Sequence, residues 1–129
     1  MIRVGPLKLK MQLLCEAEGA MGPGKADLLE AIDREGSISA AGRALGMSYR
    51  RSWMLVDAMN RCWQAKLVET HLGGGTVRGA SLTPLGSEVL EAFRALERKL
   101  AAHAAPEVER FAALMRDHPL PAAGGPGDA

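Results

Sequence analysis

A chain of 129 residues with 47% hydrophobic but only 4% aromatic side chains has material for one aliphatic core and one appended element, which excludes two independent domains and favours helices. No apolar run approaches the roughly 20 residues that span a bilayer, and Met1-Ile2-Arg3-Val4 lacks the apolar stretch of a secretion signal, so the expectation is a soluble cytoplasmic protein. The net charge of +1 hides an uneven distribution: residues 1–36 hold five basic and six acidic side chains, residues 37–79 six and two, and residues 80–129 five and seven. The middle segment, six minus two, has the local basic excess that a phosphate-binding surface requires. Charge alone leaves a solvated basic face equally open.

From Leu7 to Leu13 apolar and polar residues alternate strictly, which predicts one strand with Leu7, Leu9, Met11 and Leu13 pointing inward. A turn-rich stretch follows. Pro23 suits a helix start, and a helix is expected from about Gly24 to Arg34 with Leu28, Leu29 and Ile32 as its apolar stripe and Gly36 as its stop. Ser37 or Ser39 caps a short helix that Gly46 breaks, and its Ala-rich face invites close packing by a neighbour. Ser48 caps a second helix running to about Gln64. Its inner face carries Ser52, Val56, Met59 and Trp63, while Tyr49, Arg50, Arg51, Met54 and Arg61 lie toward the outside. Two helices joined by a tight turn, with basic residues opening the second, match the helix-turn-helix plan.

After Lys66 the period changes. Leu67–Leu72 and Ala80–Thr83 read as short strands around the Gly-rich stretch Gly73–Gly79, a hairpin or wing. This tract lacks the GxxxxGK[ST] pattern of a nucleotide-phosphate loop. Thr83 or Pro84 opens a long helix to about Ala104, whose Leu85, Val89, Phe93, Leu96 and Leu100 form a stripe expected to pair with a second copy of the chain. Folding back on its own domain is the alternative. Pro106 is expected to start a last helix holding Val108, Phe111, Leu114 and Met115, and residues 119–129 to be disordered. The expected fold is mainly α with a small β-hairpin wing: a winged helix-turn-helix over 1–82, a helical dimerisation extension over 83–118 and a tail over 119–129.

The candidate site residues are Ser37, Ser39, Arg43, Ser48, Tyr49, Arg50, Arg51, Met54 and Arg78, with double-stranded DNA as the partner. Either Arg50 or Arg51 can donate two parallel hydrogen bonds to guanine O6 and N7, or bind phosphate instead. Tyr49 can meet a phosphate or a thymine methyl, or cover the core edge. The three serines can combine capping with phosphate contact, and Trp53 reads as core. Arg78, among glycines, can approach a narrow minor groove or the adjoining backbone. Arg43 and Lys25 are possible backbone contacts. Cys15, Cys62, His71 and His103 show no metal-ligand spacing, so the thiols are expected reduced and structural, with no metal or cofactor. No nucleophile motif, acid–base pair or cofactor fingerprint stands out, which points away from an enzyme. A winged helix that binds only an acidic protein partner is the rival reading.

Gly36-Ser37-Ile38-Ser39, Gly46-Met47-Ser48-Tyr49-Arg50-Arg51-Ser52-Trp53, Met59-Asn60, the Gly-rich wing and Leu82-Thr83-Pro84-Leu85-Gly86 together resemble the amino-terminal DNA-binding domain of ModE-type molybdate-responsive regulators, relatives of the LysR-type winged-helix group. The matching pieces span roughly residues 7 to 104. The resemblance implies a dimer through the long helix, with the second motif helix in the major groove. Ser48, Tyr49, Arg50 and Arg51 would form its groove-facing start and Arg78 a wing contact. Family members that sense molybdate carry carboxy-terminal β-barrel modules, for which no sequence follows the long helix here. The expectation is a short form, either standing alone or taking its signal from a separate sensor protein, in a bacterial system linked to molybdenum.

Overall fold

The computed structural model describes residues 1–73 and 76–124, and of Thr76, Val77 and Arg78 it describes the backbone. The wing tip at Gly74-Gly75 and residues 125–129 of the tail lie outside the described residues.

Two antiparallel hairpins open the chain: β1 (Ile2–Val4) pairs with β2 (Leu7–Leu9), and β3 (Leu13–Cys15) with β4 (Glu18–Met21). The single strand expected from Leu7 to Leu13 is therefore split between two hairpins, and Leu9 and Leu13 are exposed rather than inward. Alternation fixes which faces a strand presents, but not which neighbour pairs with it. Here Leu7–Leu9 turns back on residues 2–4, whereas Leu13–Cys15 turns forward to Glu18–Met21, whose Ala20 and Met21 are buried.

Helix α1 (Pro23–Glu35) has Pro at its start and buries Leu28, Leu29 and Ile32 completely. Gly36 ends it at φ +76°, where its N–H reaches the Ile32 carbonyl at 2.8 Å. Helix α2 (Ile38–Ala44) is capped by Ser37, whose Oγ accepts from the Ala40 N–H at 3.0 Å. Helix α3 (Tyr49–Cys62) is capped by Ser48, whose Oγ accepts from the Arg51 N–H at 3.1 Å. Ser52, Val56 and Met59 face inward as the spacing predicts. On α2 Ala41 is fully buried, as the Ala-rich face predicts, and Gly42 lets α3 approach closely: a Cβ there would lie 2.2 Å from Ser52 Oγ, which donates to the Ser48 carbonyl.

The wing is β5 (Val68–Gly73) against β6 (Thr76–Leu82), antiparallel, with a register shift at His71/Leu72. Its base is held by Asn60 near the end of α3. The Asn60 Oδ1 accepts from the N–H groups of Leu67 and Val68 at 2.9 and 3.1 Å, and its Nδ2 donates to the Val68 carbonyl at 3.1 Å. One amide side chain thus serves three main-chain groups. Asn60→Ala leaves them unpaired in a partly buried place and should lower stability by about 2–3 kcal/mol, read as a reduced urea midpoint at unchanged slope.

Helix α4 (Pro84–Leu114) follows, capped by Thr83. It is one unbroken helix of 31 residues, so Pro106 lies inside it and does not start a new one. Proline removes one i→i−4 bond, and tertiary packing offsets that loss: β1 lies along α4, with Ile2 and Val108 both buried. Arg94 ties α4 to α1 by ion pairs to Asp27 (2.6 Å) and Glu30, and bonds Glu97 on its own helix at 2.8 Å. The stripe expected for dimerisation is divided. Val89 and Phe93, 7% and 2% exposed, belong to the chain's own core, and Leu85 packs partly against it, whereas Leu96 and Leu100 are exposed. The start of α4 closes the core against α1 and β6, its Val89 and Phe93 joining Leu28, Leu29 and Ile32 in one buried cluster. Residues 116–124 have no helix or strand. The architecture is a winged helix-turn-helix with a long carboxy-terminal helix, and among the described residues no helix is long and apolar enough to cross a membrane.

Candidate nucleic-acid interface

The start of α3 presents its side chains outward because Ser52, Val56 and Met59 anchor the opposite face in the core. Tyr49 and Met54 are each 60% exposed, and Arg50 and Arg51 are exposed as well. Among the described residues neither arginine has an ion pair. Arg61, at the far end of the same helix, differs. Its Nε and Nη2 reach Asp57 (2.8 Å) and Glu18 (3.1 Å), and hydrogen bonding and charge from Asp57, then charge from Glu18, raise its pKa. Among the described residues, then, the cations at the start of α3 have no ion-pair partner and the one near its end has two. The charge excess of the middle segment is concentrated accordingly.

Two concavities flank this end of α3. A cleft of about 190 Å³ is lined by Ser37, Ser39 and Arg43 of the α2 region, Tyr49 and Trp53 of α3, and Gly79 of β6. A groove of about 310 Å³ on the other side brings Lys25 together with Ser48, Arg50, Arg51 and Met54. Eight of the nine candidate residues thus line two adjoining hollows. Arg78 lies on β6 one position before Gly79, and its side chain is outside the described residues. The wing is drawn to this surface by the Ala80 N–H, which donates to the Gly36 carbonyl at 2.9 Å.

Ser37 and Ser48 accept capping bonds, and the Ser39 Oγ accepts from Arg43 Nη1 at 2.7 Å; among the described residues none of the three hydroxyls donates, which leaves its proton for an outside acceptor. Tyr49 stacks edge-on against Trp53, centroids 6.0 Å apart. Trp53 is only partly core: it packs against the hydrophobic cluster and lines the cleft, and its indole N–H is buried without a hydrogen-bond partner among the described residues. Lys25 is the residue whose place the linear pattern signalled least, because it comes from α1 and reaches the arginines only through the fold. Cationic guanidinium groups, hydroxyl donors and a strand-borne arginine position around two hollows suit the binding of phosphate oxygens and base edges.

No family model matches the chain. Among curated proteins it is 43% identical over 90 residues to the molybdenum-pterin-binding protein MopB of Rhodobacter capsulatus, covering 69% of this chain and 33% of MopB. It is 36% identical over 88 residues to the molybdenum transport protein ModE of Azotobacter vinelandii (68% and 33%), and 32% identical over 87 residues to the DNA-binding transcriptional dual regulator ModE of Escherichia coli K12 (67% and 31%). Among solved structures, the DNA-binding domain of CbnR in complex with DNA superposes with a TM-score of 0.48 at 22% identity, covering 72% of this chain and 97% of that one. The chain spans about one third of the length of the curated relatives it matches. Identity at this level, over about two thirds of this chain, makes it similar to a part, about one third, of each of those ModE and MopB proteins.

Proposed function

We propose that this chain is a sequence-specific DNA-binding transcription regulator, acting as a homodimer in molybdenum-linked gene control and performing no chemistry of its own. The observation that carries the reading is the pair of exposed guanidinium groups of Arg50 and Arg51 at the Ser48-capped start of α3, without an ion pair among the described residues. In this reading α3 enters the major groove, Ser37, Ser39 and Arg43 approach one backbone, and Lys25 approaches the other. Arg78 reaches from the wing toward the minor groove or the adjoining phosphates. The DNA-binding unit is residues 1–82 together with the start of α4, whose Val89 and Phe93 complete its core. The rest of α4, to Leu114, is the dimerisation element. Leu96 and Leu100 project from it, and Leu13, Trp63, Leu85, Ala92 and Leu96 line a mainly apolar hollow of about 310 Å³ suited to a side chain of a second copy.

The relatives named for transcriptional regulation are regulators rather than enzymes, which favours this class. Selection of bound duplexes from a random pool, with and without molybdate, tests it. The expected product is an inverted repeat whose half-sites lie about one helical turn, or a multiple of it, apart. Ligand dependence in the selection would point to molybdate sensing by this polypeptide, and its absence to a signal from a separate sensor protein. Recovery of unselected sequence, with no gel shift at low salt, would replace the reading with an acidic protein partner for the basic face.

A further inference from the structure

Cys15 and Cys62 are 47 positions apart, yet the fold brings the hairpin that carries one against the helix that carries the other. Cys15 ends β3, and its partner in the β3–β4 register is Glu18. Cys62 ends α3, and both residues beside it are bonded to the same hairpin: Arg61 to the Glu18 carboxylate at 3.1 Å, and the Trp63 indole N–H to the Ala20 carbonyl at 3.0 Å. The last turn of α3 is thereby held against the β3–β4 hairpin, at the end where Cys15 pairs with Glu18. Cys15 is exposed and Cys62 half-buried, so neither is the packed apolar cysteine of a core.

We propose that Cys15 and Cys62 form a reversible intramolecular disulfide that, when oxidised, ties the β3–β4 hairpin to the last turn of α3. The inference is independent of the DNA-binding reading. The oxidant is a low-molecular-weight disulfide such as glutathione disulfide. The Cys15 thiolate, the more accessible of the two, attacks one glutathione sulfur, forming a mixed disulfide and releasing a glutathione thiolate. Cys62 then loses its proton and attacks the Cys15 sulfur, expelling the second glutathione thiolate. Two protons and two electrons pass from the cysteines to two glutathione molecules. Burial, followed by the nearness of Cys15 and Glu18, pushes the Cys62 thiol above its ordinary range, consistent with Cys62 taking the second step.

The test is oxidation of the reduced, native chain with glutathione disulfide, followed by intact-mass measurement, peptide mapping and thermal melting. The expected product is monomeric, lighter than the reduced chain by two hydrogens, and contains one peptide pair joined through Cys15 and Cys62. It should melt several degrees higher than the reduced chain because the unfolded state is cross-linked across a long loop. Dithiothreitol should reverse both changes. Cys62→Ser should stop at a stable glutathione adduct on Cys15. Three results overturn the proposal: a stable adduct in the unmutated chain, cross-linked dimers as the main product, or thiols that stay free. An internal disulfide that leaves melting unchanged overturns the tie to α3.

Discussion

Gly86→Ala should be among the most damaging single changes in the chain, lowering stability by about 3 kcal/mol or more. A Cβ on Gly86 would stand 2.1 Å from the Leu67 carbonyl oxygen and 3.0 Å from its carbon. The obstacle is main chain, with no rotamer to relieve it. Leu67 itself cannot retreat easily, since its carbonyl accepts from the Thr83 N–H at 2.9 Å, Thr83 Oγ1 donates to the Lys66 carbonyl at 2.7 Å, and the Gly86 N–H donates to Thr83 Oγ1 at 2.9 Å. Moving α4 away breaks this knot and pulls Val89 and Phe93 from the core. A loss of that size is a large share of the roughly 5–15 kcal/mol by which a domain is stable. Urea denaturation followed by circular dichroism checks it. Gly24→Ala is the matched control, because nothing lies within 4 Å of that position and alanine is the better helix former; it should be neutral or slightly stabilising. Equal midpoints for the two variants would show that α4 does not approach Leu67 this closely.

Replacing Arg50 and Arg51 together by Ala should abolish operator preference while leaving the circular dichroism spectrum and the melting temperature nearly unchanged. The two halves of this expectation have separate causes. Neither guanidinium holds the fold together among the described residues, and exposed changes of that kind shift stability by about 0.5 kcal/mol or less. In the complex, a bidentate arginine contributes about 1–3 kcal/mol of base discrimination, and a dimer presents each side chain twice. The single variants separate the roles. Loss of a base contact erases the preference for operator over random duplex, whereas loss of a phosphate contact weakens both equally and reduces the salt slope by about 0.9 per phosphate. Arg61→Ala, whose guanidinium is already paired with Asp57 and Glu18, should leave binding close to normal. Footprints retained by the double variant, or an affinity flat in salt, would remove α3 from the interface.

Much of the site could be read directly along the chain. Ser37 and Ser48 cap where their positions predict, Gly36 turns left-handed at the end of α1, and Ser52, Val56 and Met59 face inward at helical spacing. Each depends on contacts three or four residues away, within one helix. Asn60 was visible only as part of a family resemblance, since nothing in its neighbours announces that its amide completes the wing's main-chain bonding from the end of α3. The apparent seven-residue strand from Leu7 failed for the corresponding reason: both of its halves are β-like, but each found a different partner.

The sequence by itself determined the helix-turn-helix, its caps, the hairpin wing and the outward placement of Tyr49, Arg50, Arg51 and Met54, because local hydrogen bonds and the 3.6-residue period act over one or two turns. Only the tertiary structure decided that α4 runs through Pro106, that Val89 and Phe93 serve their own core while Leu96 and Leu100 do not, that Lys25 joins the arginines, and that the end of α3 is bonded to the β3–β4 hairpin. Those outcomes depend on which surfaces bury each other across tens of residues, and the balance of packing against a lost backbone bond or a second possible partner is set by the whole fold rather than by any segment of it.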